Sequence, residues 1–595
     1  MVNLYPRVSR PAPLIYSHCN VKIVILHLKD EFLKISLYGK IKRMKIGTSF
    51  IITVIIIFLS LYISKKHPNK DKEKYKINLS SQLTIILFIL ILIIGITVRI
   101  YQFGKIPNGL FRDEVANGYD AYSILNYGID QNGYKFPIML VSFGTGDDAI
   151  YSYFSMPFIA IFGLNAVSIR LVNLLMGIFS LIILFLFTRK YYGDLFALIA
   201  LFILATNPWH IMISRWGLNV NIFPAFFLLG TYLASFLFEK EWFFIPSAII
   251  YGLALYTYET SYFVIPVFLL ILSIYLIRNK IISKKILTGG LLIIFLFGIP
   301  LALYVIINLF QLDPIQTPWF SIPRTTGAAR MTVVTSLFSN ENTVNALIRH
   351  INGFINVFIF QDDGSIGNAI SGFGTIYYFG LPLVLLGLGI TIIDQIKSRN
   401  KEIDTLILFW FIASLLLVFV MDIEINRINI IFLPLIYFIA KAIIFIYKQS
   451  KFLFLIVLLT IIFWFMLFNY TYFIKYPSEI GPAFSESLDQ AINYASANAK
   501  GNIYISKNIH LAYIYVLFNQ KIDPNDFIST VKYESPDKPI RYTASFGRYI
   551  TLEITQMPKD GGAYILDNRE IELFNLNHYQ LIRFKYYCVL IPKTT

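Results

Sequence analysis

Cysteine and charge are both scarce in this sequence. Cys19 and Cys588 are the only two cysteines in 595 residues. Two cysteines so far apart build no disulfide framework and show no metal-ligand spacing. Only 14% of the residues are Asp, Glu, Lys or Arg, against about 25% in an ordinary soluble domain. Solenoid-like repeats and low-complexity tracts are also missing. Apolar side chains fill the space instead: 56% of the residues are hydrophobic, with 53 Phe and 39 Tyr, and the mean hydropathy is +0.63. That composition points to a membrane protein, with aromatic side chains in the core and at the lipid interfaces.

A net charge of +16 would suit a nucleic-acid binder if it formed a stripe. It does not. The positives fall in short runs between apolar segments, at Lys65–Lys76, Arg189–Lys190, Arg278–Lys285, Lys397–Lys401 and Lys448–Lys451. Such runs are orientation signals, and no nucleic-acid partner is expected.

A bilayer core of roughly 30 Å takes about 20 apolar residues as a helix. Spans are expected near 47–63, 81–99, 167–188, 195–208, 220–238, 243–258, 261–277, 286–309, 375–393, 404–421, 428–447 and 451–472. The pieces 195–208 and 243–258 are short for full crossings. Placing the basic loops in the cytoplasm puts "NGLFRDEVANGYDAYSI" (108–124), "NPWHIMISRWGLNVN", a long loop at 310–374, "MDIEINR" and the tail on the outer face. The run 149–163 breaks this alternation if it spans. It is short and holds Pro157, so it reads as an interfacial or re-entrant helix.

The division expected from these signals has four parts. Residues 1–46 form an amino-terminal extension with eight Lys/Arg and two acids in its first 43 positions, and Met44 is a candidate true start. Residues 47–64 are an additional transmembrane helix, and 79–472 the main membrane domain, with its first outer loop at 100–166. From 475 to 595 the composition changes: "SESLDQAINYASANAK" and "HLAYIYVLFNQ" read as helices, "NIYIS", "GGAYILD" and "LIRFKYYCVLIP" as strands. This is a small extracytoplasmic α/β domain.

The adjacent acids Asp113 and Glu114 follow the first span of the main domain. In context they resemble a known pattern. "GLFRDEVANGYDAYSI" resembles the acidic pair in the first outer loop of the GT-C glycosyltransferases, "FGLNAVSIRLVNLLMG" the FG…R entry into the next span, "NPWHIMISRWG" the second outer loop, and "NRINIIFLPLI" the late R…P element. The resemblance covers about 80–472. It is nearest the protein mannosyltransferase / aminoarabinose transferase (glycosyltransferase family 39-like) superfamily. The WWDYG-type motif of oligosaccharyltransferases is absent. Where some relatives have a second acid in the second outer loop, this chain has none, and the tail resembles no known sugar-binding module.

The resemblance implies an all-α polytopic GT-C fold of roughly 11–13 transmembrane helices. It implies an inverting transferase in the plasma membrane, taking a sugar from a polyprenyl-phosphate donor to a protein, lipid or polysaccharide acceptor outside. Such a reaction needs a base for the acceptor proton, cations for the departing phosphate and an apolar groove for the lipid. Asp113 is the expected base and Glu114 orients the acceptor or its neighbours, against the plainer reading of two solvated loop acids. Arg215 and Arg427 are the expected phosphate ligands, since a guanidinium fork suits phosphate oxygens; the plainer reading is snorkelling to headgroups. His210 is a lesser phosphate donor. Arg170 pairs with Asp113 or Glu114, or binds substrate. Glu259, beside Tyr258, binds sugar hydroxyls or simply sits in an aromatic belt. Asp120 caps or pairs locally, and Asp147–Asp148 and Asp362–Asp363 are turn residues. The run 345–360 is an amphipathic lid or a surface helix. No metal or cofactor is expected. A transporter or flippase of lipid-linked glycans is the alternative, along with a polymer ligase; midplane ionisable sites and matching broken spans, which a transporter favours, do not stand out.

Overall fold

In hydrocarbon, a backbone must satisfy its own hydrogen bonds, and the apolar runs do so as helices. The structure is a computed structural model that describes residues 47–66, 76–325, 343–398, 401–534, 540–558, 562–574 and 576–593. The expected extension 1–46, its Met44 start and part of the Lys65–Lys76 run lie outside the described residues.

The order is α1 (Gly47–Lys66), α2 (Ser81–Ile100), α3 (Arg112–Tyr127), the hairpin β1 (Met139–Ser142) and β2 (Thr145–Asp148), α4 (Ile150–Phe162), α5 (Ala166–Tyr192), α6 (Asp194–Thr206), α7 (Pro208–Ile213), α8 (Phe223–Ala234), α9 (Phe244–Ala254), α10 (Ser261–Arg278) and α11 (Lys284–Leu309). The short pair β3 (Ile315–Gln316) and β4 (Ser321–Ile322) follows, then α12 (Thr343–Ile355), α13 (Gly380–Ile396), α14 (Glu402–Leu415), α15 (Phe432–Gln449), α16 (Lys451–Tyr470) and α17 (Tyr476–Ile480). Among the described residues, eight helices are long and apolar enough to cross a membrane, and five shorter apolar ones accompany them. Every span expected from sequence is matched by one of these helices. α4 has 13 residues with Pro157 inside, about 20 Å of helix, too short for a crossing.

Local chemistry sets the boundaries. Asn165 caps α5 by accepting from the backbone N–H of Val167 and Ser168, and α5 stops at Gly193, whose φ of +79° favours glycine. α2 turns Ile85, Ile86, Ile89 and Ile93 outward, where lipid rather than water meets them. α15 is buried along nearly its whole length and packs against α13, α14 and α6. Midway along it Lys441 meets Asp404 at 2.5 Å and Asp394 at 3.2 Å, and the hydroxyls of Tyr192 and Tyr437 donate to Asp404 at 2.5 and 2.6 Å. α1 docks through Ser49, whose Oγ accepts from Trp464 Nε1 at 2.8 Å.

The tail folds as α18 (Leu488–Asn498), β5 (Ile503–Ser506), α19 (Ala512–Gln520), α20 (Pro524–Thr530), β6 (Lys532–Tyr533), β7 (Thr543–Phe546), β8 (Tyr549–Leu552), β9 (Ala563–Asp567), β10 (Tyr579–Arg583) and β11 (Tyr587–Pro592). The seven strands lie in the order β10-β11-β9-β5-β8-β7-β6. β5 runs parallel to both β8 and β9, while the other pairs are antiparallel.

The boundary drawn near 475 does not separate two cores. α19 packs on α3, and Val115, Ala116 and Tyr119 of the first outer loop share one buried cluster with Ile503, Ile514 and Phe518 of the tail. The Tyr119 hydroxyl also donates to Ile522 O at 2.7 Å. Asp362 and Asp363 are turn residues as expected, accepting from Gly364 and Ser365 N–H, each at 2.9 Å. Asp147 and Asp148 are not. They end strand β2 and are buried.

Candidate active site

α3 begins where the chain is pinched. Gly109 has a φ of +76°, and a Cβ there would fall 2.1 Å from Phe484 O, so only glycine allows residues 484–486 to lie so close. From that turn the two adjacent acids diverge. Glu114 is fully buried. Its Oε1 accepts from Arg170 Nε at 2.8 Å and Gly217 N–H at 2.7 Å, and its Oε2 from Arg170 Nη2 at 3.0 Å and Phe111 N–H at 2.9 Å. Arg170 also donates to the carbonyls of Pro107 at 3.0 Å and Gly109 at 2.8 Å. A bidentate pair with every lone pair used is an anchor, and this one fixes the turn, α3 and α5 together. Asp113 faces elsewhere. About a third of its side chain is exposed (32%), and its nearest cation is Arg112 Nε at 3.8 Å.

Arg215 and His210 form a second buried group. Arg215 donates to Tyr472 OH at 3.2 Å, to the carbonyls of Val98 and Arg99 at 3.2 and 2.5 Å, and to those of Gln102 and Ile106 at 3.3 and 3.1 Å. Four of its five N–H groups are spent on the end of α2 and the loop that follows, and the fifth on Tyr472. His210 Nδ1 lies 2.6 Å from Arg99 Nη2. Burial first, and then the Arg99 charge, push its pKa well down, so the ring is neutral and Nδ1 accepts from Arg99. The expectation that these two side chains face a phosphate is therefore corrected. Residues that read as cations at a lipid–water boundary are instead closing a helix end, whose last carbonyls have no partner in the helix itself.

Arg427 fares differently. Its two contacts are long, Nη1 to Asp422 O at 3.4 Å and Nε to Glu424 Oε2 at 3.6 Å. Tyr258 and Glu259 lie within its electrostatic reach. Tyr262 is near Glu259 and donates to Asp148 Oδ1 at 2.9 Å, and Asn219 Nδ2 donates to Asp147 Oδ1 at 2.7 Å. Asp147 and Asp148, expected to be turn residues, are instead the buried acceptors of Asn219 and Tyr262. Buried acids on a short hairpin strand carry no local signal that separates them from turn acids. The segment 216–219 links this group to the first one. Its Gly217 N–H holds Glu114 and its Asn219 holds Asp147, and three extended residues reach about 10 Å. Trp216, on the same segment, stacks edge-on against Phe111 with centroids 5.5 Å apart.

Residues 149–304 match the family model of dolichyl-phosphate-mannose-protein mannosyltransferases. The resemblance to the GT-C mannosyltransferase superfamily is borne out. With eight described helices long and apolar enough to cross a bilayer, the chain is a multi-pass membrane protein. Among solved structures, ArnT from Cupriavidus metallidurans is similar in its apo state, at 12% identity and a TM-score of 0.48 over 86% of this chain and 98% of that one. The same protein bound to undecaprenyl phosphate gives 11% and 0.49 over the same shares. The Archaeoglobus fulgidus oligosaccharyltransferase gives 12% and 0.48 over 74% of this chain and 64% of its own. No curated protein sequence matches.

Within α3 and the loop after it lies a buried acid pair. Asp120 accepts from Gln131 N–H at 3.0 Å and Gln131 Nε2 at 2.9 Å, the local pairing expected of it. Burial first, then Asp130 and less strongly Asp147, raise its pKa well above the ordinary range. Burial raises Asp130 to about 6. Both carboxyls hold protons to higher pH in the folded protein than in the unfolded chain. The contribution of Asp130 is therefore complete below about pH 4 and is lost as pH rises through about 6, and that of Asp120 is lost in the same direction. Asp120→Asn removes one charge, and Gln131 can turn its amide to match. The variant is expected to raise the thermal midpoint by roughly a few degrees above pH 7 and to leave it unchanged at pH 4. A fall at pH 7 in a melting assay would contradict this.

Proposed function

We propose that the chain transfers a sugar from a polyprenyl-phosphate donor to an acceptor hydroxyl on the extracytoplasmic face, with Asp113 as base. The observation that carries this is the divergence of the adjacent acids: Glu114 is locked to Arg170, while Asp113 stands open beside it. Asp113 takes the acceptor's proton, and the acceptor oxygen bonds to the anomeric carbon from the face opposite the phosphate. The sugar–phosphate C–O bond breaks, and its electron pair leaves with the polyprenyl phosphate. The configuration inverts. The basic loops support the outward placement of Asp113 and the tail, because they alternate with the helices to leave both on the non-basic side.

Arg427 is the cation proposed for the departing phosphate, with Glu259 and Tyr258 placed to meet sugar hydroxyls. Charged hydrogen bonds contribute about 1.5–3 kcal/mol, so Arg427→Ala is expected to weaken donor binding roughly 10- to 100-fold. Arg427→Lys rescues only part of this, since an ammonium cannot reproduce the fork. The assay uses purified protein in detergent with a panel of radiolabelled polyprenyl-phosphate sugars, scoring released polyprenyl phosphate. An unaltered donor KM in Arg427→Ala, or activity lost to chelators and restored by a divalent cation, would remove Arg427 from this role.

A further inference from the structure

A cleft of about 440 Å³ lies between the amino end of α3 and the tail domain, within the roughly 300–1,000 Å³ typical of small-ligand sites. Its walls are turns. Asn508 and His510 follow β5, Asn568 follows β9, and Tyr586 precedes β11, while Arg112 of α3 closes the bottom. β5 and β9 are neighbouring parallel strands. The chain leaves β5 toward β8 on one side and returns as β9 on the other. Ligands in α/β sheets bind outside the carboxyl ends of strands at such a reversal. The cleft is therefore where this sheet topology would put a ligand.

Its chemistry narrows the class. The charges at its rim are matched within the protein: Arg569 with Asp567 at 2.7 Å and Lys585 with Glu486 at 2.8 Å. Burial and the Arg112 charge lower His510 to about 4, so the imidazole is neutral. Asn508 and Asn568 spend amide N–H groups on Glu570 Oε1 and on the Phe584 and Lys585 carbonyls, and His510 Nδ1 meets Tyr542 OH at 3.3 Å. What remains is the unpartnered Asn568 Oδ1 and the His510 Nε2, beside the ring of Tyr586. The one further cation, Arg112, faces Asp113 at 3.8 Å, so the cleft suits an anion less well than a ligand rich in hydroxyls, which finds polar atoms and an aromatic face. The cleft also adjoins Asp113, which touches Arg112 at 3.8 Å and whose charge reaches Tyr515 on the cleft wall.

We propose that this cleft binds the acceptor, and that the acceptor is a neutral saccharide whose terminal hydroxyl is presented to Asp113. The proposal rests on Asp113 as the base, but its test does not need turnover. Purified full-length protein is examined by saturation-transfer NMR with gluco-, galacto- and manno-configured di- and trisaccharides, an acidic oligosaccharide and a serine/threonine peptide. A neutral saccharide is expected to give a signal that Asp113→Asn retains. His510→Ala and Tyr586→Ala should each weaken that binding at least about tenfold while donor binding stays at the wild-type level. His510 is only partly covered, its ring against Tyr542, so its truncation is expected to leave the fold intact and serves if the tyrosine variant does not fold. Saccharide binding unchanged in His510→Ala, no neutral saccharide bound, or binding of the peptide or acidic glycan alone would each overturn the proposal. An active Asp113→Asn enzyme with saccharide binding still lost in the cleft variants would instead remove the base and keep the cleft.

Discussion

Asp113→Asn is expected to bind donor as the wild type does and to transfer sugar about 10²–10⁴-fold more slowly, the usual contribution of a general base. The substitution keeps the shape of the side chain and removes its capacity to take a proton. It has little else to disturb. The Asp113 carboxylate is partly exposed, and its ion pair with Arg112 is 3.8 Å long, a contact that contributes well under about 1 kcal/mol. The thermal midpoint should therefore stay within experimental scatter. Radiolabelled polyprenyl-phosphate sugar supplies both measurements, as retained label for binding and released polyprenyl phosphate for turnover. Turnover near the wild-type rate, at matched protein amounts, would falsify the assignment.

The neighbouring acid should behave in the opposite way. Glu114→Gln is expected to damage the fold rather than the chemistry. Glu114 and Arg170 are both fully buried, and removing one partner of such a pair costs about 3–5 kcal/mol because the other charge is left without compensation. The glutamine amide would turn a donor toward a guanidinium that is itself all donors. The loss spreads, because the same carboxylate holds Phe111 and Gly217 N–H and the same guanidinium holds the Pro107 and Gly109 carbonyls. A sharp drop in monodisperse yield and thermal midpoint in detergent is expected for Glu114→Gln, and likewise for Arg170→Met. The double variant Glu114→Gln/Arg170→Met should lose less than the two single losses added together, since neither charge is then stranded. A stable, well-expressed Glu114→Gln protein that has lost only activity would show that Glu114 does chemistry instead of anchoring.

Helices were legible because lipid imposes one rule on every span, so length and apolarity alone delimit them. The acidic pair was legible as a site through its position after a span. Its division of labour was not, since nothing local says that Arg170, 56 positions away, selects Glu114. Arg215 shows the limit more sharply. A sequence cannot distinguish an arginine that awaits a phosphate from one already saturated by carbonyls of a preceding helix. Asp147 and Asp148 were misplaced because paired acids near glycine look alike in a turn and on a hairpin strand. The cleft was invisible for a related reason: its residues come from four separate turns and one helix end, which only the tertiary fold assembles.

The core shared by α3 and the tail also bears on how the protein is made. Tyr119 and its partner Ile522 are 403 positions apart. At about 5–20 residues per second, roughly 20–80 s of synthesis separate them. During that interval the helix bearing Asp113 exists without the surface it packs on. A nascent chain therefore carries a finished set of early spans and an uncovered α3 until its last segment is made. Ribosome-stalled chains ending before α18 should have protease-sensitive bonds in 112–127 that the completed protein protects. Assembly of the candidate site would thus be among the last events of the protein's biogenesis.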